Sequence, residues 1–338
     1  MLRFNETSGY LSAADHISND SSKSVSSEIQ RLINENPNTT IYFPDGVYLL
    51  DEPIFTPADP KKSVSLVLSD FAIFRASENW NSDGALVRLG GIEKANDIRT
   101  CGSNYSFSGG IIDGMNKADG ISIDGGRETV VRNVSIKHTK IGLHIKHGAN
   151  NGSSDCDISS VNIIGDRSTG SIGVLLEGYD NTLTNMRIAD VFIGVLLKSA
   201  GNSLRNIHPL YTCDYTDYVN SRGFDDRTGS NWFDFCYSDH FGVGFRLADG
   251  CVSILDRCFC FWYSERENIH TAIQAEGSFD SIVTNMRVGF HAVQTENNLI
   301  TEARHGGRGS FVRPVIQKNL PSSDRSYEAY LSGGVTEY

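Results

Sequence analysis

The chain has 338 residues, 39% of them hydrophobic and 21% charged, which is ordinary for a globular protein, and it carries a net charge of −11. That balance argues against a nucleic-acid backbone or an anionic membrane as main partner. It also counts against a strongly anionic polysaccharide unless a cation bridges the two. Glycine is abundant at 33 residues and proline scarce at 8, as many tight corners between short strands require.

The first residues hold no basic segment followed by an apolar run, so no signal peptide is expected. No window approaches the apolar length of a membrane span, and a cytoplasmic location is the expectation, or a virion-associated or secreted one had a leader been removed. Residues 1–23 are polar and read as a loose arm. Ser24 reads as the N-cap of a short helix with Val25, Ile29, Leu32 and Ile33 on one face, ending near Asn36 and Pro37. Residues 40–50 (TIYFPDGVYLL) follow as two strands flanking a Pro-Asp-Gly turn. The expected organisation is a cap and first strands over 24–60, a repeating body over 61–300 and a tail over 301–338, folded back or set against a neighbouring subunit.

The body repeats itself. Residues 131–145 (VRNVSIKHTKIGLHI), 183–197 (LTNMRIADVFIGVLL) and 233–247 (FDFCYSDHFGVGFRL) are one phrase, in which Val134, Met186 and Cys236 are each followed eight residues later by Gly142, Gly194 and Gly244. Residues 160–176 give the phrase again with four residues inserted before Gly173. Short period-2 strands recurring at solenoid spacing predict coils that stack roughly 4.8 Å apart and share one core. The seven cysteines (Cys101, Cys156, Cys213, Cys236, Cys251, Cys258 and Cys260) are odd in number and lack paired spacing, so no disulfide framework is expected. Cys236, Cys258 and Cys260 fall on apolar columns and read as small core side chains rather than as a metal pair.

An amphipathic helix, then Ile41-Tyr42-Phe43-Pro44-x-Gly46-x-Tyr48, then a ladder of Gly-rich coils including 109–114 (GGIIDG), resembles the pectate lyase-like superfamily. The resemblance covers 24–298 and implies an all-β, single-stranded right-handed parallel β-helix with a short N-terminal capping helix. The superfamily holds polysaccharide lyases, glycoside hydrolases, fructan-cleaving transferases, epimerases and phage tailspikes, so fold alone leaves the activity open. Asp225-Asp226 matches the Asp-Asp of the polygalacturonase-like branch, but the accompanying Gly-His-Gly and Arg-x-Lys are missing, as is the Asp-Pro-His-Glu of mannuronan epimerases.

In a stacked coil, chemistry belongs on outward columns. The overlay sets Arg187, His208, Tyr237, Phe259 and Arg287 in one column. It sets Asp190, His138, Tyr211, His240 and Trp262 in a bend column, with Asp239 one residue before it. His138 reads as a surface histidine and Asp113 as a turn residue. Residues 211–267 are dense in aromatics and acids, and 264–268 (SEREN) is an excess that would overhang this face. Glycoside cleavage needs two carboxylates, roughly 5–5.5 Å apart for retention and roughly 6.5–9.5 Å for inversion. Asp190 and Asp239, two coils apart, would be separated by roughly 9.6 Å along the axis; Asp239 with Glu265 is the competing pair. The expected catalytic set is therefore Asp239, Asp190, Glu265 and His240. The expected substrate-binding set is Arg187, His208, Tyr211, Tyr237, Trp262 and Asp214.

The expected function is cleavage or transfer of glycosidic bonds in a poly- or oligosaccharide. A lyase acting by β-elimination and a phage-tailspike-like glycan-binding module are the alternatives. No cofactor or metal is expected, and a homotrimer is the favoured oligomer.

Overall fold

The computed structural model describes residues 9–57, 59, 62–90, 105–147, 153–213, 217–263, 269–291, 296–317, 331–332 and 336–337. The chain forms two compact units, one of 1–166 with 174–182, the other of 167–173 with 183–338. Every strand pairing described within them is parallel, and the chain is a right-handed parallel β-helix.

In the first unit the helix Ser26–Glu35 buries Ile29, Leu32 and Ile33, as its spacing predicts. It starts one turn position later than expected, with Val25 as N-cap, because the Ser24 hydroxyl is taken by Asp51. The strands Thr39–Phe43 and Gly46–Leu50 flank the predicted turn and pair with Val64–Leu68 and Ala72–Ala76. Part of the polar stretch at the N-terminus is ladder rather than arm: Leu11–Ser12 pairs with Ile41 and Tyr42, and Asp20–Ser24 with Gly46–Leu50. The Phe43, Tyr48 and Phe74 rings meet edge to face at 4.9–5.7 Å in the core beneath.

In the second unit the coils stack as three strand series, the first two merging into one continuous strand in Thr182–Ala189 and Ser203–Leu210. Ser203–Leu210, Trp232–Asp234, Ile254–Asp256, Ile282–Thr284 and Ser310–Val312 stack in one series. Tyr237–Asp239, Phe259–Trp262, Arg287–Phe290 and Val315–Gln317 form the second. Ile193–Leu197, Arg222–Asp226, Val243–Leu247, Ile269–Ala275 and Glu296–Glu302 form the third. The ladder thus runs past 300 through strands expected to lie in the tail. Alternate residues stack inward, so Leu204, Phe233, Leu255, Val283 and Phe311 make one buried column.

The corner between the first two strands of each coil is left-handed. Asn185, Asn206, Phe235, Arg257, Asn285 and Arg313 occupy it with φ between 49° and 56°. Asparagine is among the residues that tolerate this conformation best, and here its amides also bond from coil to coil, Asn206 donating to the Asn185 side chain at 2.9 Å. Phe235 and Arg257 lack that compensation, at a cost of about 1 kcal/mol each.

The described cysteines are all buried. Burial pushes the Cys156 and Cys251 thiols up to about 12, and the Cys258 and Cys260 thiols well above their ordinary value. A thiol-selective reagent is therefore expected to leave these side chains unmodified in the folded protein and to label them only after denaturation. Rapid native labelling of any of them would contradict the packing described.

Candidate active site

The outward column of the second strand series is the expected one. Tyr237 registers with Phe259, and Phe259 with Arg287. The His208 ring stacks on Tyr237 at 4.1 Å and 16°, Tyr237 stacks on Phe259 at 4.6 Å, and the Arg287 guanidinium lies 5.1 Å over Phe259. Rings one coil apart fall at stacking distance because coil spacing and ring thickness nearly match. Beside this ridge runs the left-handed corner column, from which Phe235 projects with 61% of its surface exposed. Ridge and corners together enclose a groove of 390 Å³ lined by Arg187, Asn206, His208, Phe235, Cys236, Tyr237, Arg257, Phe259 and Arg287.

Asp239 stands beside this ridge, two residues along the strand from Tyr237. Its Oδ2 lies 3.3 Å from His208 Nε2, and its Oδ1 is bonded to His240 Nδ1. Burial alone would favour the neutral acid, but hydrogen bonds from His208, His240 and Tyr237 outweigh it and hold the carboxyl down at about 2. Burial and the neighbouring Asp239 charge push the Tyr237 phenol well above its ordinary value, so it stays protonated.

An ionised carboxylate only accepts, so both imidazoles donate to it. His240 Nε2 in turn accepts the Tyr263 backbone N–H at 3.0 Å. That fixes His240 as the Nδ1–H tautomer with both nitrogens used: it orients Asp239 and has no proton to exchange. His208 gives its Nε2–H to Asp239 and borders the groove, which leaves Nδ1 as the proton-handling atom.

Because folding lowers the Asp239 carboxyl from 3.8 to about 2, its contribution to stability is present above 3.8 and is lost as the pH falls through 2. It amounts to about 2 kcal/mol. Asp239→Asn is expected to flatten the acid limb of unfolding free energy between these values in a denaturant series. An unchanged limb would mean that the imidazole bonds do not hold the carboxylate.

Other expected site residues fall elsewhere. Asp190 is bound by Arg167 Nε at 3.0 Å and by the Thr212 hydroxyl, a cluster separate from that of Asp239, so the paired-carboxylate arrangement is not what brings Asp239 its partners. Tyr211 and Trp262 are not outward. Tyr211 is 2% exposed and packs against Tyr218 and Phe241, while Trp262 is fully buried between His270 and Phe290 and donates Nε1–H to the Phe241 carbonyl at 2.6 Å. The reason lies in the backbone. Asp190, His138 and His240 have φ of 53–61°, which turns the bend residue outward, whereas Tyr211 and Trp262 are absent from the left-handed set and follow the strand alternation inward. Glu265 and Asp214 lie outside the described residues.

The Asp225-Asp226 pair is structural. Asp225 is fully buried and held by Arg246 at 2.8 Å and Arg227 at 3.1 Å. Asp226 accepts from Ser253, Asn231 and the Thr228 and Gly229 N–H groups. Asp113 is more than a turn residue: it bonds His138 Nδ1 at 2.9 Å and Arg75 at 3.1 Å. Arg257 and Phe235 carried no functional expectation as groove residues. The signal available was their occupation of a corner column otherwise favouring asparagine.

No protein-family profile and no curated protein matches the sequence. Solved structures do match in fold. An alginate lyase from Paenibacillus sp. strain FPU-7 superposes with TM-score 0.63 at 14% identity, covering 83% of this chain and 97% of that one. A mutant tailspike protein of E. coli bacteriophage HK620 in complex with a pentasaccharide gives 0.71 at 12% identity, over 97% of this chain and 65% of the tailspike chain. The catalytic unit of a GH87 α-1,3-glucanase from Streptomyces thermodiastaticus strain HF3-3 gives 0.54 at 13%, over 97% and 68%. Likeness at these identities is likeness of fold, and that fold is a parallel β-helix.

Proposed function

We propose that this chain is a carbohydrate-active enzyme that cleaves or transfers glycosidic bonds of a poly- or oligosaccharide on the outer face of its second unit, with Asp239 at the centre of the chemistry. The observation that carries the reading is a carboxylate held ionised between two imidazoles, one of which, His208, borders a groove lined by stacked rings. Ring faces grip the C–H faces of sugars, and the ionised carboxylate stabilises positive charge developing at an anomeric carbon. Asp239 at about 2 does not serve as the proton donor. His208, which borders the groove, is the group placed to protonate the leaving oxygen: as the imidazolium it keeps Nε2–H on Asp239, gives up its Nδ1 proton and returns to the neutral ring. The fold neighbours, an alginate lyase, a glucanase and a tailspike bound to a pentasaccharide, support the substrate class.

A second reading, β-elimination from a uronate, is favoured by the arginines of the groove and by His208 stacked on protonated Tyr237, a base beside a phenolic acid. The test is product analysis on neutral and uronate-containing glycans. New reducing ends without ultraviolet-absorbing unsaturated products support hydrolysis or transfer, whereas unsaturated ends move the reaction to elimination. Binding without turnover on every glycan would reduce the chain to a binding module and overturn the enzymatic reading.

A further inference from the structure

We propose that the groove selects a glycan carrying an acidic group, carboxylate or sulfate, on the sugar seated among Arg187, Arg257 and Arg287; the inference rests on the reading of this face as a glycan site. The chain carries a net charge of −11, so an arbitrary stretch of its surface is acidic. This groove is the reverse: among the described residues three arginines and a histidine line it, and no carboxylate does.

The nearby acids are already engaged. Asp239 accepts from the two imidazoles. Asp234 and Asp256 hold Arg257, the latter at 3.1 Å, and so fix a guanidinium at the groove wall. Arg287 is held flat against Phe259. Arg187 donates to the backbone carbonyls of Met186 at 3.0 Å and Asn206 at 3.5 Å, and it joins no ion pair among the described residues. Its guanidinium therefore keeps donors for a planar anion, which two parallel N–H bonds match in shape and charge.

The backbone gives an independent indication. Along the left-handed corner column asparagine stands at 185, 206 and 285, and three residues depart from it: Phe235 at φ 55° and Arg257 at φ 53°, which line the groove, and Arg313 at φ 49°, which does not. The Phe235 and Arg257 side chains work against the local backbone preference, and both face the groove. Phe235, largely exposed, supplies an open ring for a sugar face, and Arg257 supplies a cation.

The test is calorimetric binding of the intact chain to oligogalacturonate and oligoguluronate, to a sulfated oligosaccharide, and to the carboxyl-reduced neutral counterparts of the first two. It is run at low and moderate salt on the wild type, Arg187→Gln and Phe235→Asn. The acidic ligands are expected to bind at least about tenfold more tightly than their neutral counterparts, with the preference shrinking as salt rises. Arg187→Gln is expected to remove about tenfold of that affinity with an unchanged melting temperature. Phe235→Asn is expected to weaken binding while holding or raising the melting temperature, which a merely structural role would not do. The uronate and sulfate arms decide which anion is preferred. Equal binding of acidic and neutral ligands, or Arg187→Gln binding as the wild type does, overturns the inference. If neutral glycans alone are bound and cleaved through Asp239, the inference falls and the site reading stands; if no glycan is bound or cleaved, both fall.

Discussion

Replacing Asp239 by asparagine is expected to lower turnover on the order of a thousandfold while leaving glycan binding largely intact. The argument is about tautomers rather than charge alone. His240 Nε2 is committed to the Tyr263 N–H, so His240 must go on donating from Nδ1. The asparagine oxygen takes that bond, and its amide then faces His208 Nε2 with a donor. His208 Nε2 must then stay unprotonated to accept from the amide, so the imidazolium that could give up its Nδ1 proton and return to a neutral ring no longer forms beside residue 239. The stacked His208–Tyr237–Phe259 floor does not depend on the carboxylate, so affinity survives. The measurement is the split of kcat from KM on the best glycan found by product analysis. A variant that keeps a tenth or more of wild-type kcat would remove Asp239 from the chemistry.

The largest expected effect on the fold comes from the glycine column. A Cβ on Gly223 would lie 2.1 Å from Ser238 Oγ and 2.7 Å from Ser238 Cβ, with the Gly244 carbonyl oxygen at 2.8 Å. The same atom on Gly194 would meet Pro209 at 2.5 Å, and on Gly244 the Cys260 sulfur at 2.4 Å. The third strand of each coil thus passes against the interior side chain of the second, and the gap holds a hydrogen and nothing larger. Gly223→Ala is expected to cost about 3 kcal/mol, because the stacked coils leave the backbone little room to move. Gly250→Ala is the control. Gly250 has φ 73° and open space around it, so its substitution pays conformational strain alone, about 1 kcal/mol. Denaturant unfolding of the two variants reads the difference. Equal losses would show that the column does not demand glycine by close approach.

This column also explains why so much of the fold is legible in the sequence. A coil that stacks on its neighbour must place the same kind of residue at the same register. The recurrence of Gly194 and Gly244 eight residues after Met186 and Cys236 is therefore a steric requirement written as text, and Gly142 after Val134 keeps the same spacing. The ridge Arg187, His208, Tyr237, Phe259 and Arg287 was readable for the same reason, since outward columns obey the same register. The bend residues were not readable. Whether His240 turns out or Trp262 turns in depends on one φ angle, and neither residue type fixes that angle. The Asn231, Ser253 and Asp226 interior network was also hidden, because serine, asparagine and aspartate at a corner look alike whether solvated or buried.

The claim that matters most is the location of the site, and amide hydrogen exchange with and without the best oligosaccharide ligand tests it most directly. The account predicts that ligand slows exchange in Ser203–Leu210, Tyr237–Asp239 and Phe259–Trp262, the strands that carry His208, Asp239 and the stacked rings. It predicts no change in Arg222–Asp226 and Val243–Leu247 on the third strand series. Protection confined to that third series, with the Asp239 strands unaffected, would place the ligand on the wrong face and contradict the account.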